Sequence, residues 1–271
     1  MPYFICTTCG TQFPESDLPP SACAICQDER QYLKPSGQQW TTHDRLQKSN
    51  RNSLRQEEVG LIGIGIEPAF GIGQRALLVQ TPAGNILWDC VPLLDEALVQ
   101  VIRGLGGLSA IAISHPHYYS NVVDWSRAFG DIPIYLHASD AQWVMRSDHN
   151  INSWAGETLV LGNGLTLIRC GGHFEGGTVL HWRQGAAGRG VLLSGDIIQV
   201  VADRRHVSFM YSYPNFIPLG GSAIERILTA VEPFAYDRIY GAFWDMTIEA
   251  DAQTAVLRSA ERYLAAIREI H

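Results

Sequence analysis

The chain has 271 residues, 46% hydrophobic and 17% charged, enough apolar material to bury a sizeable core in one large domain with a small appendage. A formal net charge of −7 and a pI near 5.7 argue against a nucleic-acid or anionic-membrane surface. The opening MPYFICTTCG has no basic stretch leading into an apolar one, and no segment supplies the ~20 uninterrupted apolar residues of a membrane span, so a cytoplasmic protein is expected.

Four of the six cysteines fall in the first 26 residues as Cys6-x2-Cys9 and Cys23-x2-Cys26, two pairs separated by 13 residues. Paired knuckles of this kind can set four thiolates tetrahedrally around one ion, and Gly10 permits the tight backbone that the first knuckle needs. The alternative is two reducible disulfides, which cytosolic proteins rarely keep, or unrelated thiols. The polar, Pro-rich TQFPESDLPPSA between the pairs cannot build a core, so metal binding would supply most of the folding free energy of residues 1–33. This segment resembles a zinc ribbon or a rubredoxin-like knuckle pair. Zinc is the expected ion, with iron open, and the role is structural because four cysteines leave no coordination position for a substrate. Cys90 and Cys170 stand alone in apolar surroundings and read as small buried hydrophobes.

Residues 34–58 are polar and read as a linker or surface strap, with a short helix starting near Thr42 and ending before Asn50. The main domain is expected over 59–271. It opens with short apolar runs, GLIGIGIEP, RALLVQT and GNILWDC (84–90), each the length of one strand, the last two joined by a turn at Pro82-Ala83-Gly84-Asn85. VPLLDEALVQVIRGLGG (91–107) carries apolar residues at helical spacing, and LSAIAIS (108–114) follows as a buried strand. The second half repeats the theme with ETLVLGNGLTLIRC (157–170), GTVLHW (177–182) and GVLLSGD (190–196), a helix at ERILTAVEP, a strand at DRIYGAF (237–243) and a final amphipathic helix. Mixed strands with helices outside predict an α/β (α+β) fold of four layers, helix, sheet, sheet and helix.

Polar residues collect where the apolar strands stop. His115 and His117 follow LSAIAIS, His173 follows LTLIRC and two glycines, and Asp196 follows VLLSG. Any one of these has a bland explanation, such as a capped turn. Together, three imidazoles and a carboxylate at strand ends form a ligand set suited to zinc, iron or manganese.

These segments resemble the metallo-β-lactamase superfamily of hydrolases, whose signature is an apolar strand ending in Ser/Thr-His-x-His-x-Asp-His; here it reads SHPHYYS. RALLVQTPAGNILWDC resembles that family's opening hairpin, IYLHASDA its middle strand and helix start, GGHFEGGTVLHW its third-histidine loop and LLSGDII its bridging-aspartate strand. The resemblance covers roughly 59–270 and implies an αββα sandwich. It places His115, His117 and His173 in the first metal site and makes Asp196 the bridging carboxylate. The second site departs from the pattern: the family's Asp-His is Tyr119-Ser120, and Ala242, Phe243 and Trp244 stand where its last histidine should fall. A phenol and a hydroxyl are weak substitutes for carboxylate and imidazole. One metal is therefore expected, held by His115, His117 and His173, with Asp196 as a candidate fourth ligand. His149 and His206 are spare, His206 being the better candidate for a compensating ligand.

A cation in such a site can lower the pKa of a coordinated water from 15.7 toward ~7, producing hydroxide for attack on a carbonyl. Asp196 would orient that water or take its proton, and Tyr118 or Tyr119 would donate to the developing oxyanion. With no second cation, ester, thioester, lactone or amide hydrolysis is favoured over phosphodiester cleavage. Tyr211 and Tyr213 in FMYSYPNF (209–216), with Phe243 and Trp244, are candidate walls for a small apolar or aromatic substrate. Two other readings stay open: a metal-binding scaffold without catalysis, and an iron redox protein, which a ferric tetrathiolate's colour would reveal.

Overall fold

A computed structural model of the protein describes residues 1–268, which fall into two compact units, Met1–Trp154 and a second that begins at Ala155. Among the described residues no helix is long and apolar enough to cross a membrane.

The first unit begins with the cysteine segment. Strand β1 (Tyr3–Cys6) pairs antiparallel with β2 (Gln12–Glu15) on one side and with β3 (Trp40–Thr41) on the other, a three-stranded sheet. The first knuckle turns between β1 and β2: Gly10 N donates to Cys6 O at 2.9 Å, and Cys6 N to Thr11 O at 2.9 Å. Gly10 sits at φ +82°, where a Cβ would be strained and would also overlap the Pro92 ring. The second knuckle rides on a single helical turn, α1 (Ala24–Gln27). The core beneath is small: the four cysteines, Ile25 and Phe13, the last edge-on to Trp40 at 4.9 Å.

Helix α2 (His43–Ser49) lies where the sequence places it, with Thr42 before its first turn. The rest of the expected strap differs. Arg51–Glu58 is strand β4, paired antiparallel with β5 (Leu61–Glu67) from Arg51↔Glu67 to Glu58↔Leu61. RNSLRQEE shows no apolar alternation because β4 is an edge strand whose side chains are mostly exposed or half-buried. The sheet continues through β6 (Ala76–Val79), β7 (Ile86–Trp88), β8 (Ala110–Ala112), β9 (Ile134–His137) and β10 (Ile151–Trp154), in the order β10-β9-β8-β7-β6-β5-β4. Strands β7 to β10 are parallel and the others antiparallel. The crossover helix α3 (Glu96–Gly104) starts five residues later than the apolar pattern suggests. Asp95 caps it, its Oδ1 accepting from Leu98 N at 2.8 Å, and exchanges bonds with Asn52 of β4 that hold Asp95 itself extended. Helix α4 (Val122–Ala128) follows β8 and buries Val122, Val123 and Trp125.

The second unit is built on a six-stranded sheet. ETLVLGNGLTLIRC is a hairpin of β11 (Thr158–Gly162) and β12 (Leu165–Arg169), turning at Asn163 and Gly164, both at positive φ. Strands β13 (Thr178–Trp182) and β14 (Val191–Gly195) extend it, linked by a short irregular helix, α5 (Gly185–Gly188). Beyond β14 lie two small hairpins, β15 (Gln199–Val200) with β16 (Val207–Ser208), and β17 (Met210–Ser212) with β18 (Ile217–Pro218). Helix α6 (Gly221–Val231) then leads to β19 (Arg238–Gly241), parallel to β14, and β20 (Thr247–Ile248) closes the order β11-β12-β13-β14-β19-β20. Helix α7 (Ala252–Arg268) buries Ala252, Ala255, Val256 and Ala260 in one core with Ile224 and Ile227 of α6 and Ile168, Leu192 and Ile239 of the sheet.

Candidate metal centres

Strand β8 ends at Ala112, and the chain then forms a 3-10 turn over Pro116–Tyr118 with His115 just before it. A bond from Ser114 N to Asp89 Oδ1 at 2.7 Å anchors this strand end, and Asp89 is itself buried after β7. His115 Nδ1 meets the Ser114 hydroxyl at 2.8 Å. Its ring lies edge-on to His117 at 5.0 Å and to Tyr118 at 4.5 Å. In the second unit, His173 Nδ1 donates to the backbone carbonyls of Met210 and Tyr211 at 3.1 and 2.8 Å. Carbonyls only accept, so the proton sits on Nδ1 and the lone pair is on Nε2, the tautomer a metal ligand needs. Asp196 follows β14, and its backbone carbonyl accepts from the Tyr213 hydroxyl at 2.9 Å.

The ligand atoms of His115, His117, His173 and Asp196 all lie within 4.8 Å of one another, and all four residues are buried. Burying a carboxylate among three imidazoles is costly unless a cation or protons balance it, and three nitrogens with one oxygen is a donor set that zinc-like cations take. The residues fit a metal.

The cysteines form a second group, also buried and within 4.8 Å. Cys6 Sγ lies 3.6 Å from Cys26 Sγ, and Cys9 Sγ 3.6 Å from Cys23 Sγ. A tetrahedron of thiolates ~2.3 Å from its centre has edges of about 3.8 Å, and a disulfide would need sulfurs about 2.05 Å apart. All six cysteines are free thiols. Hydrogen bonding with Cys23 and then Cys26 pushes the Cys9 thiol well up, while bonds from the same two residues hold Cys6 down. A cation removes this conflict by displacing the protons. Cys90 and Cys170 are fully buried, and burial pushes the Cys170 thiol up to about 12.

The remaining predicted site residues divide. Tyr118 packs on His115 and is buried. Tyr119 instead lines a small cavity with Thr11, Gln12, Asn121, Leu136 and Arg146, beside the cysteine segment. Burial, then the Asp140 charge, pushes its phenol well above the usual range. Ser120, at φ +44°, accepts a bond at its carbonyl from Gln12 N and is 4% exposed. FMYSYPNF is not an open loop but contains β17. Tyr211 presents its carbonyl to His173, and Tyr213 commits its hydroxyl to the Asp196 and Ser208 carbonyls, with its ring edge-on to His173 at 5.6 Å. Phe243 and Trp244 are half-buried in the turn between β19 and β20. His206 pairs with Asp203 at 2.7 Å and His149 with Asp148 at 3.3 Å, and neither joins the buried group. Asp89 and Gln12 have positions that sequence reasoning missed; the placement of Asp89 at the end of an apolar strand was the one available signal.

The arrangement of strands and helices is the metallo-β-lactamase fold. The solved structure of VMB-1 has 13% identity and a TM-score of 0.59, the match covering 80% of this chain and 98% of that one. DIM-1 metallo-β-lactamase, in a crystal exposed to ceftazidime, gives the same four values. The Cronobacter sakazakii metallo-β-lactamase with a HARLDQ motif gives 16%, 0.53, 80% and 93%. The chain is also 51% identical over 269 residues to the uncharacterized protein YmaE of Bacillus subtilis (strain 168), covering 98% of this chain and 97% of that one, and belongs to the same family. No family model matches the chain.

Proposed function

We propose that this protein is a mononuclear metal-dependent hydrolase acting on an ester, thioester, lactone or amide of a small molecule. The observation that carries the reading is the buried convergence of His115, His117, His173 and Asp196, with His173 held in the ligating tautomer by two backbone carbonyls. Zinc suits both donor sets, and when bound among the histidines it would supply Lewis acidity that lowers the pKa of water toward neutrality. Asp196 would hold the nucleophile's proton at a carboxylate oxygen, its backbone fixed by Tyr213. Tyr118, packed on His115, would keep that ring oriented. The Tyr119 phenol stays protonated but faces the cysteine segment, so we assign it no contact with substrate.

Support for a single metal comes from the positions where the superfamily carries the second site. The Ser120 hydroxyl is engaged by Gln74 Nε2 and Cys90 O, and Tyr119 lines the cavity beside the cysteine segment, so we assign neither as a ligand. The same observation favours a second reading, a metal-binding protein without turnover. Elemental analysis with an ester and lactone panel tests both. Two metals per chain, falling to one in His117→Ala, with hydrolysis lost wherever the histidine metal is lost, is the expected result. A wild-type chain holding the cysteine metal alone would overturn the hydrolase. Two metals without turnover on any substrate would favour the second reading.

A further inference from the structure

We infer that the four-cysteine centre positions the histidine loop, with Gln12 as the positioning residue, so that metal at the cysteines strengthens metal binding at His115 and His117. The inference rests on reading those histidines as ligands. Gln12 lies three residues beyond Cys9, and its backbone N–H donates to the Ser120 carbonyl at 3.0 Å, three residues beyond His117. Its side chain continues the link: Nε2 donates to Asp124 Oδ2 at 2.7 Å, on the first turn of α4, and Oε1 accepts from Arg146 Nη1. Arg146 closes the bracket by donating to Asp124 Oδ1 at 2.6 Å, and its guanidinium lies 3.8 Å from the centroid of Tyr3 on β1. Gln12 is 2% exposed and Arg146 8%, so water competes little for the bond between them, while Asp124 at the rim is half-buried.

The bracket therefore grips the histidine loop on its C-terminal side, where Ser120 stands in the left-handed region. A serine keeps that backbone only when its surroundings over-determine it. The Ser120 hydroxyl adds bonds to Gln74 Nε2 and Cys90 O, both at 3.3 Å. On the N-terminal side the loop has the Asp89–Ser114 anchor. One anchor comes from the sheet and the other from the knuckle. A knuckle whose order depends on metal passes that dependence to the loop it holds. Tyr119 and Ser120, which replace the superfamily's Asp-His, are the residues that meet the knuckle, so the lost ligands and the gained dock occupy the same positions.

The test uses the full chain, stripped of metal, given one equivalent of Cd2+ for the cysteines and then titrated with Co2+, whose d–d absorption reports the histidine site. Gln12→Ala, which keeps the backbone bond to Ser120 but removes the side-chain bonds to Asp124 and Arg146, is expected to raise the Co2+ dissociation constant by about 10-fold, the low end of what losing an outer partner costs a metal site, and to change the band shape while the far-UV circular dichroism stays native. Cys9→Ser, which removes the cysteine metal, is expected to do at least as much. If Cys9→Ser unfolds, Gln12→Ala decides alone. An unchanged constant and spectrum in Gln12→Ala would overturn the inference and leave the proposed function standing. Absence of any histidine-site Co2+ absorption in the wild type would overturn both.

Discussion

Introducing the Asp-His of the metallo-β-lactamase pattern by Tyr119→Asp and Ser120→His should fail to create a second metal site. Ser120 is 4% exposed, and the imidazole must displace packed neighbours, an overpacking cost of about 1–3 kcal/mol. The two long hydroxyl bonds to Gln74 and Cys90 are lost, about 1 kcal/mol together. Ser120→His alone should therefore lose about 2–4 kcal/mol, a fall of about 1–2 M in the urea midpoint for a slope near 2 kcal/mol/M. Tyr119→Asp adds more, because the phenol is 5% exposed and the new carboxylate would feel the Asp140 charge. Losing a buried aromatic costs about 3–5 kcal/mol, so the double variant spends much of a typical stability of 5–15 kcal/mol. Urea unfolding followed by fluorescence, with elemental analysis of the folded fraction, checks this. An extra metal per chain at an undiminished midpoint would refute the argument that these positions belong to the cysteine dock.

Three further outcomes are expected. Asp89→Ala leaves the buried Ser114 N–H without its acceptor and should cost about 1–3 kcal/mol by urea unfolding, with weaker Co2+ binding at the histidines and unchanged binding at the cysteines. Gly10→Ala forces a side chain into the left-handed region and onto Pro92, costing about 2–5 kcal/mol from those two sources, and should speed release of the cysteine metal to a chromogenic chelator. Burial lowers the His181 pKa below its ordinary 6.5, a shift its bond to the Ala235 carbonyl only partly opposes. The unfolded chain therefore binds the proton more readily: this contribution is neutral above 6.5, and stability is lost as pH falls below it toward the folded-state pKa. Replacing His181 with Gln should flatten the loss over that window in a pH series of urea midpoints, and an unchanged slope would contradict the assignment.

Most of the strands were legible because they are buried on both faces and read as short apolar runs, as in ALLV and VLLSG. The ligand residues were legible for a related reason, since polar groups that interrupt such runs at their ends stand out. β4 was not legible, because an edge strand has no buried face to impose alternation. The start of α3 was misplaced because its cap depends on Asn52, forty-three residues away from Asp95 in sequence. The roles of Tyr213 and Gln12 escaped for the same reason: an aromatic residue near a predicted site reads as a pocket wall, whereas its hydroxyl is bound to the backbone that carries Asp196. Periodicity reports burial. It does not report which distant backbone group a buried polar atom meets.

The cysteine segment, taken alone, has few residues and a core of four cysteines, one isoleucine and one phenylalanine. Such a core cannot offset the conformational entropy of its own backbone, so its order must come from metal and from the sheet it rests on. The exchange runs in both directions. Gly10 lies close against Pro92, and Gln12 bonds to Ser120, Asp124 and Arg146, all in the body of the first unit. Ser120 in turn keeps its left-handed backbone beneath the knuckle. Removal of either partner leaves the other with buried polar groups unmet, at about 1–3 kcal/mol each. The knuckle and the histidine loop should therefore lose order together, and protection of the amides of residues 114–124 from hydrogen exchange should fall when the cysteine metal is withdrawn.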